Sequence, residues 1–127
     1  MTRKTWDNKA PTVQMLGRWQ PWHDGHLALF QRALAKTGQV CIMVRDVQGV
    51  DDNPFAFQEI KDRIIKELAQ HGYFHAEDYI IQLVPNITNI TYGRAVGYTI
   101  EQETFDEATH AISATDIRAQ MRKDGSL

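Results

Sequence analysis

The chain has 127 residues, which suits a single domain built around one hydrophobic core. Its formal net charge of −2 lacks the basic excess of a general nucleic-acid binder, so any bound anion must be held by a local site. The single cysteine excludes an intrachain disulfide. There is no apolar segment at the N-terminus and no apolar run of about 20 residues, so neither a signal peptide nor a membrane helix is predicted, and the cytoplasm is the expected compartment.

Strand and helix patterns alternate through the first two thirds of the chain. Residues 1–11 are mostly polar and predict a flexible arm, followed by one domain at 12–127. Short apolar runs predict strands, and apolar residues spaced three or four apart predict helices. The predicted elements are a strand at 12–16, a helix from Asp24 to a stop at Gly38, a strand at 40–44, a helix from Asn53 and Pro54 to near Gly72, and a strand at 79–84 stopped by Pro85. This order predicts an α/β fold with a mostly parallel sheet flanked by helices.

The remaining elements are shorter. Two β-rich triplets, at 90–92 and 98–100, flank Gly93 and Gly97 and predict two short strands. Ser113 stands three residues before Asp116, as in a loose capping box, which predicts a last helix at 113–121 with Ser113 as its N-cap.

The highest density of potentially catalytic or anion-binding side chains is at 17–26, GRWQPWHDGH, between the first strand and the first helix. We call them the motif loop. Ligands of open parallel sheets bind beyond the carboxyl ends of the strands, and a helix N-terminus offers free N–H groups to phosphate. His23 and His26 share one face of the first helical turn, where two imidazoles can donate hydrogen bonds to phosphate oxygens as charge develops. Gly25 removes a side chain between them, so a triphosphate can approach the backbone.

Two other interpretations of this histidine pair are open. A surface pair can simply cap the helix. A zinc site is also conceivable, but two histidines supply only half of a tetrahedral ligand set. The isolated pair favours phosphate chemistry over both.

A second cluster of anion-binding groups stands at 112–118, ISATDIR. The hydroxyls of Ser113 and Thr115 precede a helix, and the guanidinium of Arg118 follows within its first turns. An ordinary helix cap with a solvated arginine explains the same residues, so this cluster alone does not decide between them.

Together the two clusters resemble the nucleotidylyltransferase superfamily. Residues 23–26 match its HxGH motif, and 112–118 match its ISSTxIR motif, with Ala114 in place of the second serine. The motif loop resembles the GRFQPFHxGH string of archaeal-type nicotinamide-mononucleotide adenylyltransferases, with Trp19 and Trp22 in place of phenylalanine. Residues 53–55 also resemble the NPF segment that opens a helix in those enzymes.

The resemblance implies a single Rossmann-like domain and an enzyme that moves a nucleoside monophosphate from an NTP to a small phosphate-bearing acceptor, releasing pyrophosphate. It implies that Mg²⁺ is carried by the triphosphate rather than by a protein metal site, and that the enzyme is a homo-oligomer. The implied catalytic residues are His23, His26 and Arg118. The implied phosphate-binding residues are Gly17, Arg18, Gly25, Ser113 and Thr115.

The acceptor and the base are less constrained. Arg45 and Arg94 are candidate acceptor-binding residues. Arg45 opens a loop that follows the second strand at the same sheet edge, and Arg94 lies among paired glycines and tyrosines that could bind a phosphate or stack on a base. A solvated loop arginine and a plain turn between two strands are the alternatives. The chain is shorter than typical adenylyltransferases of this type around 87–105, and it lacks the RYVD segment of cytidylyltransferases. The choice of nucleotide is therefore open, and the resemblance of the motif loop favours AMP transfer slightly over a cytidylyltransferase using CTP and a phosphorylated alcohol or sugar.

Functions of other classes fit the sequence less well. A non-catalytic nucleotide-binding module of the same fold is an alternative, although intact catalytic groups argue against it. The chain has neither the GxxxxGK[ST] string of P-loop enzymes nor a GxGxxG string after the first strand. Kinases, NTPases and redox dinucleotide-binding proteins are therefore disfavoured.

Overall fold

The computed structural model describes residues 4–49, 53–94, 97–105, 107–110 and 112–125. Strands and helices alternate along the chain. They are β1 (Val13–Gly17), α1 (Asp24–Thr37), β2 (Val40–Arg45), α2 (Phe57–Gln70), β3 (Tyr79–Val84), α3 (Glu107–His110) and α4 (Ala114–Asp124). This order confirms the predicted α/β fold with a Rossmann-like arrangement.

The sheet has three parallel strands in the order β1-β2-β3. Val13 pairs with Val40 and Val40 pairs with Tyr79, so the three strands start level with one another. Because the strands are parallel, their carboxyl ends meet at one edge of the sheet, and the motif loop leaves β1 at that edge.

The hydrophobic core lies on one face of the sheet. Successive side chains of a strand point to opposite faces, and every second residue of β2 from Val40 to Val44 is fully buried. Both long helices pack on this face, since their buried side chains belong to the same cluster, with Phe30 and Ala33 from α1 and Ile60, Ile64 and Leu68 from α2. The alternate side chains, Arg45 among them, point to the opposite face.

Several predicted boundaries are confirmed. α1 begins at Asp24 and is stopped by its C-cap Gly38, which adopts the left-handed conformation (φ 90°) and donates its N–H to the Leu34 carbonyl. β3 has the predicted bounds, and Ser113 is the N-cap of α4, accepting a hydrogen bond from the Asp116 N–H. The last helix runs three residues further than predicted, to Asp124, and α3 was not predicted.

The predicted start of the second helix is wrong. α2 begins at Phe57, not at Asn53 and Pro54. The backbone N–H and carbonyl of Phe55 are both bound by the side chain of Gln20, which holds this stretch extended and delays the helix.

The two short strands predicted at 90–92 and 98–100 are also wrong, because neither triplet forms a strand. Ala95 and Val96, between them, lie outside the described residues. β-Propensity reflects packing of side chains on a sheet. Here the side chains of Ile90, Tyr98 and Ile100 are 59%, 67% and 64% exposed, so that packing is missing.

The predicted N-terminal arm is anchored over its described part, which begins at Lys4. The Trp6 N–H donates to the Ala76 carbonyl at 2.9 Å, and Gln39 Nε2 donates to the Asp7 carbonyl at 2.7 Å. Residues 1–3 of the arm and 126–127 of the predicted domain lie outside the described residues.

Candidate active site

The motif loop begins with an indole packed against a glycine. Trp19 adopts the left-handed conformation (φ 53°), which is uncommon for a bulky residue. Its indole Nε1 donates to the Met43 carbonyl at 3.0 Å. A Cβ on Gly17 would lie 2.8 Å from the indole ring, so only glycine lets Trp19 fold back over the end of β1. Gly17 therefore has a packing role in addition to its predicted place beside phosphate.

The two histidines form a reciprocal cap at the start of α1. His23 is the N-cap, and its Nδ1 accepts the Gly25 N–H at 3.0 Å. His26 Nδ1 accepts the His23 N–H at 3.2 Å. Their rings are stacked with centroids 3.6 Å apart and planes inclined by 17°. Because each Nδ1 is an acceptor, the proton of each neutral imidazole is on Nε2, which makes Nε2–H the group available for donation.

Gly25 makes room for this arrangement. A Cβ at Gly25 would lie 2.8 Å from Cε1 of His23 and 3.7 Å from Cβ of Ile112. Any larger residue would displace the His23 ring from its cap. The glycine predicted to admit a triphosphate thus also allows the first imidazole to take its place.

Burial keeps the rings of His23 and His26 uncharged. The ring of His26 lies 4.7 Å from that of Trp19 and 5.4 Å from that of Trp22, centroid to centroid. Burial lowers the pKa of His26 to about 3, with a further lowering from His23. Burial also lowers the pKa of His23, opposed by the negative charge of Asp24 and aided by the positive charge of Arg63. At neutral pH both rings are therefore neutral hydrogen-bond donors.

The C-terminal cluster meets the motif loop through Arg118. This side chain is only 2% exposed. Its Nη1 donates to the carbonyl of Gln20 at 2.5 Å, and its Nη2 donates to Thr115 Oγ1 at 3.2 Å. Thr115 itself is exposed, and Ser113 Oγ accepts the Asp116 N–H at 3.4 Å. The structure thus brings together the two clusters found at opposite ends of the sequence.

Gln20 is the residue that the sequence reasoning missed. Its side-chain amide forms two hydrogen bonds with Phe55, from Nε2 to the carbonyl and from the backbone N–H to Oε1, both at 2.9 Å. Its own carbonyl accepts from Arg118. Gln20 therefore joins the motif loop to both the NPF segment and the C-terminal cluster. The only signal for this role in the sequence is a polar residue inside an aromatic string.

Arg63, from α2, also reaches the motif loop. Its Nε donates to the Trp22 carbonyl at 3.3 Å and lies 3.3 Å from a carboxylate oxygen of Glu67. Nothing in the local sequence of α2 marks this arginine, because its contact depends on how α2 packs beside α1.

The three other arginines predicted to bind phosphate or the acceptor differ in their hydrogen-bond partners. Arg18 is exposed, with Nη1 3.4 Å from Asn53 Oδ1. Arg45 ends β2 and donates from Nη2 to Asn86 Oδ1 at 2.8 Å. Arg94 is exposed and makes no hydrogen bond to another described residue.

The chain is similar in sequence to a known enzyme. No protein-family model matches the chain. The chain is similar to a nicotinamide-nucleotide adenylyltransferase of Methanococcus aeolicus, with 26% identity over 109 residues. The alignment covers 77% of this chain, and the chain spans 63% of the relative's length. This similarity supports a relationship to the nucleotidylyltransferases.

No helix among the described residues is both long enough and apolar enough to span a bilayer.

Proposed function

We propose that this chain is a nucleotidylyltransferase that transfers a nucleoside monophosphate, AMP in preference to CMP, from an NTP to a small phosphate-bearing acceptor. The observation that carries the proposal is the stacked pair of His23 and His26. Both Nδ1 atoms are held by backbone N–H groups, which leaves the Nε2–H groups of two stacked rings as donors at a helix N-terminus. The preference for AMP is supported by the similarity of the chain to an adenylyltransferase of Methanococcus aeolicus.

The proposed reaction is an in-line displacement. An oxygen of the acceptor phosphate attacks the α-phosphorus, forming a new P–O bond. The bond from the α-phosphorus to its bridging oxygen breaks, and pyrophosphate leaves with that electron pair. No proton has to be transferred by the protein, so catalysis consists of positioning and charge stabilisation.

His23 and His26 stabilise the extra negative charge that builds up on the α-phosphate. Fixed, neutral donors suit this task because they are already oriented and need no reorganisation during the reaction. The burial of His26 among indole rings strengthens its hydrogen bond by excluding water.

The leaving pyrophosphate is held at the start of α4. Ser113 and Thr115 offer hydroxyls beside the free N–H groups of that helix, and the charge of Arg118 lies behind them. Gly17 and Arg18 complete the phosphate-binding loop.

Mg²⁺ enters as part of the substrate, bound to oxygens of the triphosphate. This ion prefers oxygen ligands and keeps several waters. The groups around the histidine pair are imidazole, indole, guanidinium and the carboxylate of Asp24, and of these only the single carboxylate is a ligand type that Mg²⁺ prefers.

Pyrophosphate release tests this function directly. The protein is incubated with Mg²⁺ and either ATP or CTP, against a panel of phosphomonoesters that includes nicotinamide mononucleotide. Release with ATP and one acceptor is expected. Release with CTP alone would replace AMP by CMP in the proposal, and no release with any pair would favour a non-catalytic nucleotide-binding module.

The variant His26→Ala tests the assigned role. Losing one donor to developing charge should lower kcat by at least about 100-fold. Near-normal turnover in a folded His26→Ala protein would contradict the role of this histidine.

A further inference from the structure

A cleft opens at the carboxyl edge of the sheet, beside the motif loop. Its volume is about 400 Å³, within the usual range for sites of small molecules. It is lined by Leu16, Arg45, Ile87, Thr88, Asn89 and Ile90. Leu16 precedes the motif loop by one residue, and Arg45 is the last residue of β2, so the cleft adjoins the proposed phosphate-transfer site.

The side chain of Arg45 emerges on the face opposite the core. Val44 is fully buried on the core face, and alternation along β2 sends Arg45 to the other side. The histidine pair, in contrast, starts α1, which packs on the core face. The end of β1 therefore separates the cleft from the histidines, and a ligand pair lying across this strand end can engage both.

Arg45 carries a buried donor that has no acceptor among the described residues. Its Nη2 is fixed by Asn86 Oδ1 at 2.8 Å, but its Nε is buried and makes no hydrogen bond within the described structure. A buried donor without a partner is unfavourable and uncommon in folded proteins. A phosphate or another oxyanion in the cleft would supply the missing acceptor, with the planar geometry that a guanidinium prefers.

We propose that this cleft binds the anionic group of the acceptor, with Arg45 Nε as its principal donor. That the ligand is the acceptor rests on the proposed function. The anion site itself rests only on the geometry of the cleft and on Arg45. The triphosphate is assigned to the starts of α1 and α4, so a second anion site across the end of β1 suits the second substrate. The mixed apolar and hydroxyl lining favours a compact phosphomonoester.

The arginine side-chain region of a ¹H–¹⁵N NMR spectrum provides a direct test. Inorganic phosphate and glycerol 3-phosphate are titrated into the wild-type protein, with glycerol as the uncharged control. The Nε–H resonance of Arg45 should shift downfield with both anions and should not respond to glycerol. No response of this resonance to either anion would overturn the proposal.

Matched variants locate the binding. Arg45→Gln should weaken glycerol 3-phosphate binding at least about 10-fold, since a charge-assisted hydrogen bond is lost. Arg45→Lys keeps the charge but lacks the Nε–H, so it should also bind more weakly than wild type. Arg122→Gln removes the same charge from an exposed site of α4 and should leave binding unchanged. Equal affinity of wild type and Arg45→Gln contradicts the proposal.

Addition of ATP separates the two substrates. With saturating ATP and Mg²⁺ present, glycerol 3-phosphate should still shift the Arg45 resonance. If ATP itself occupies the cleft and abolishes that shift, the site belongs to the nucleotide and the acceptor assignment fails. If no pyrophosphate is released in any assay while Arg45 still binds phosphate, the proposed function fails and the anion site stands.

Discussion

The motif loop, residues 17–26, and the segment 87–105 differ in how far the fold fixes them. In the motif loop, Gln20 and Trp22 are almost completely buried, and both histidine Nδ1 atoms are hydrogen-bonded. The segment 87–105 has no helix or strand in its described part and exposes several large apolar side chains.

The attachment of the segment 87–105 is correspondingly light. Arg32 of α1 donates to the Thr104 carbonyl at 2.8 Å, and Lys36 pairs with Glu101 and Glu103 at 2.6 and 2.9 Å. These contacts are made by exposed or partly exposed groups, and such contacts contribute little to stability. The groups proposed for charge stabilisation are thus fixed before substrate binds, whereas the segment beside the proposed acceptor cleft is held mainly by surface contacts.

The largest expected effect separates capping from catalysis in the motif loop. Asparagine is a good N-cap, so His23→Asn keeps the cap of α1 but removes the imidazole Nε2–H. We expect kcat to fall about 100-fold while the free energy of unfolding changes by less than about 1 kcal/mol. Steady-state kinetics and urea denaturation measure the two quantities. Unchanged kcat in this variant would show that His23 serves only as a cap.

The next effect tests whether Gln20 holds the motif loop in place. Gln20→Ala leaves the Phe55 N–H and carbonyl without partners, which should destabilise the fold by about 3 kcal/mol. Gln120→Ala changes an exposed glutamine of α4 and should cost less than about 0.5 kcal/mol. Urea denaturation of both variants makes the comparison. Similar free energies of unfolding would mean that the Gln20 bonds do not fix the loop.

A smaller effect concerns pH. The pKa of His26 is lowered in the folded state to about 3, so the unfolded chain binds the proton first as pH falls below about 6.5. Stability should therefore be lost as pH decreases from 6.5 towards 3, by at most about 1.4 kcal/mol per pH unit from this residue.

Urea denaturation at pH 7 and pH 5.5 measures that slope. His26→Asn should flatten it, because asparagine does not titrate. An unaltered slope in His26→Asn would show that burial of this ring does not govern the acid sensitivity.

The smallest global effect belongs to the segment 87–105. Arg32→Gln removes the hydrogen bond to Thr104 and the contact of the guanidinium with the Phe105 ring, 4.4 Å from its centroid. Because the Arg32 side chain is exposed, the free energy of unfolding should change by less than about 1 kcal/mol. Amide exchange at 101–105 should nevertheless become faster, while exchange in α1 remains slow. Slower or unchanged exchange at 101–105 would contradict the anchoring role of Arg32.

Local features could be predicted from the sequence because their partners are close in the chain. The reciprocal cap joins residues two and three positions apart, and the spacing of His23, Gly25 and His26 already indicates a shared helical face. The same holds for the end of α1 at Gly38 and for the Ser113 cap. The order of strands and helices likewise predicted the α/β fold, since buried parallel strands carry continuous apolar runs.

Only the tertiary structure decided how these parts meet. The bonds of Gln20 span 35 residues to Phe55 and 98 residues to Arg118, and no local pattern encodes a contact across such separations. The same is true of the indole rings that keep His26 neutral and of the late start of α2. The β-rich triplets of the segment 87–105 show the reverse case, since their composition favours strands but a strand forms only where a neighbour supplies its hydrogen bonds and its packing. Sequence thus specified the chemical groups and their local geometry, while packing fixed their partners, their burial and their charge.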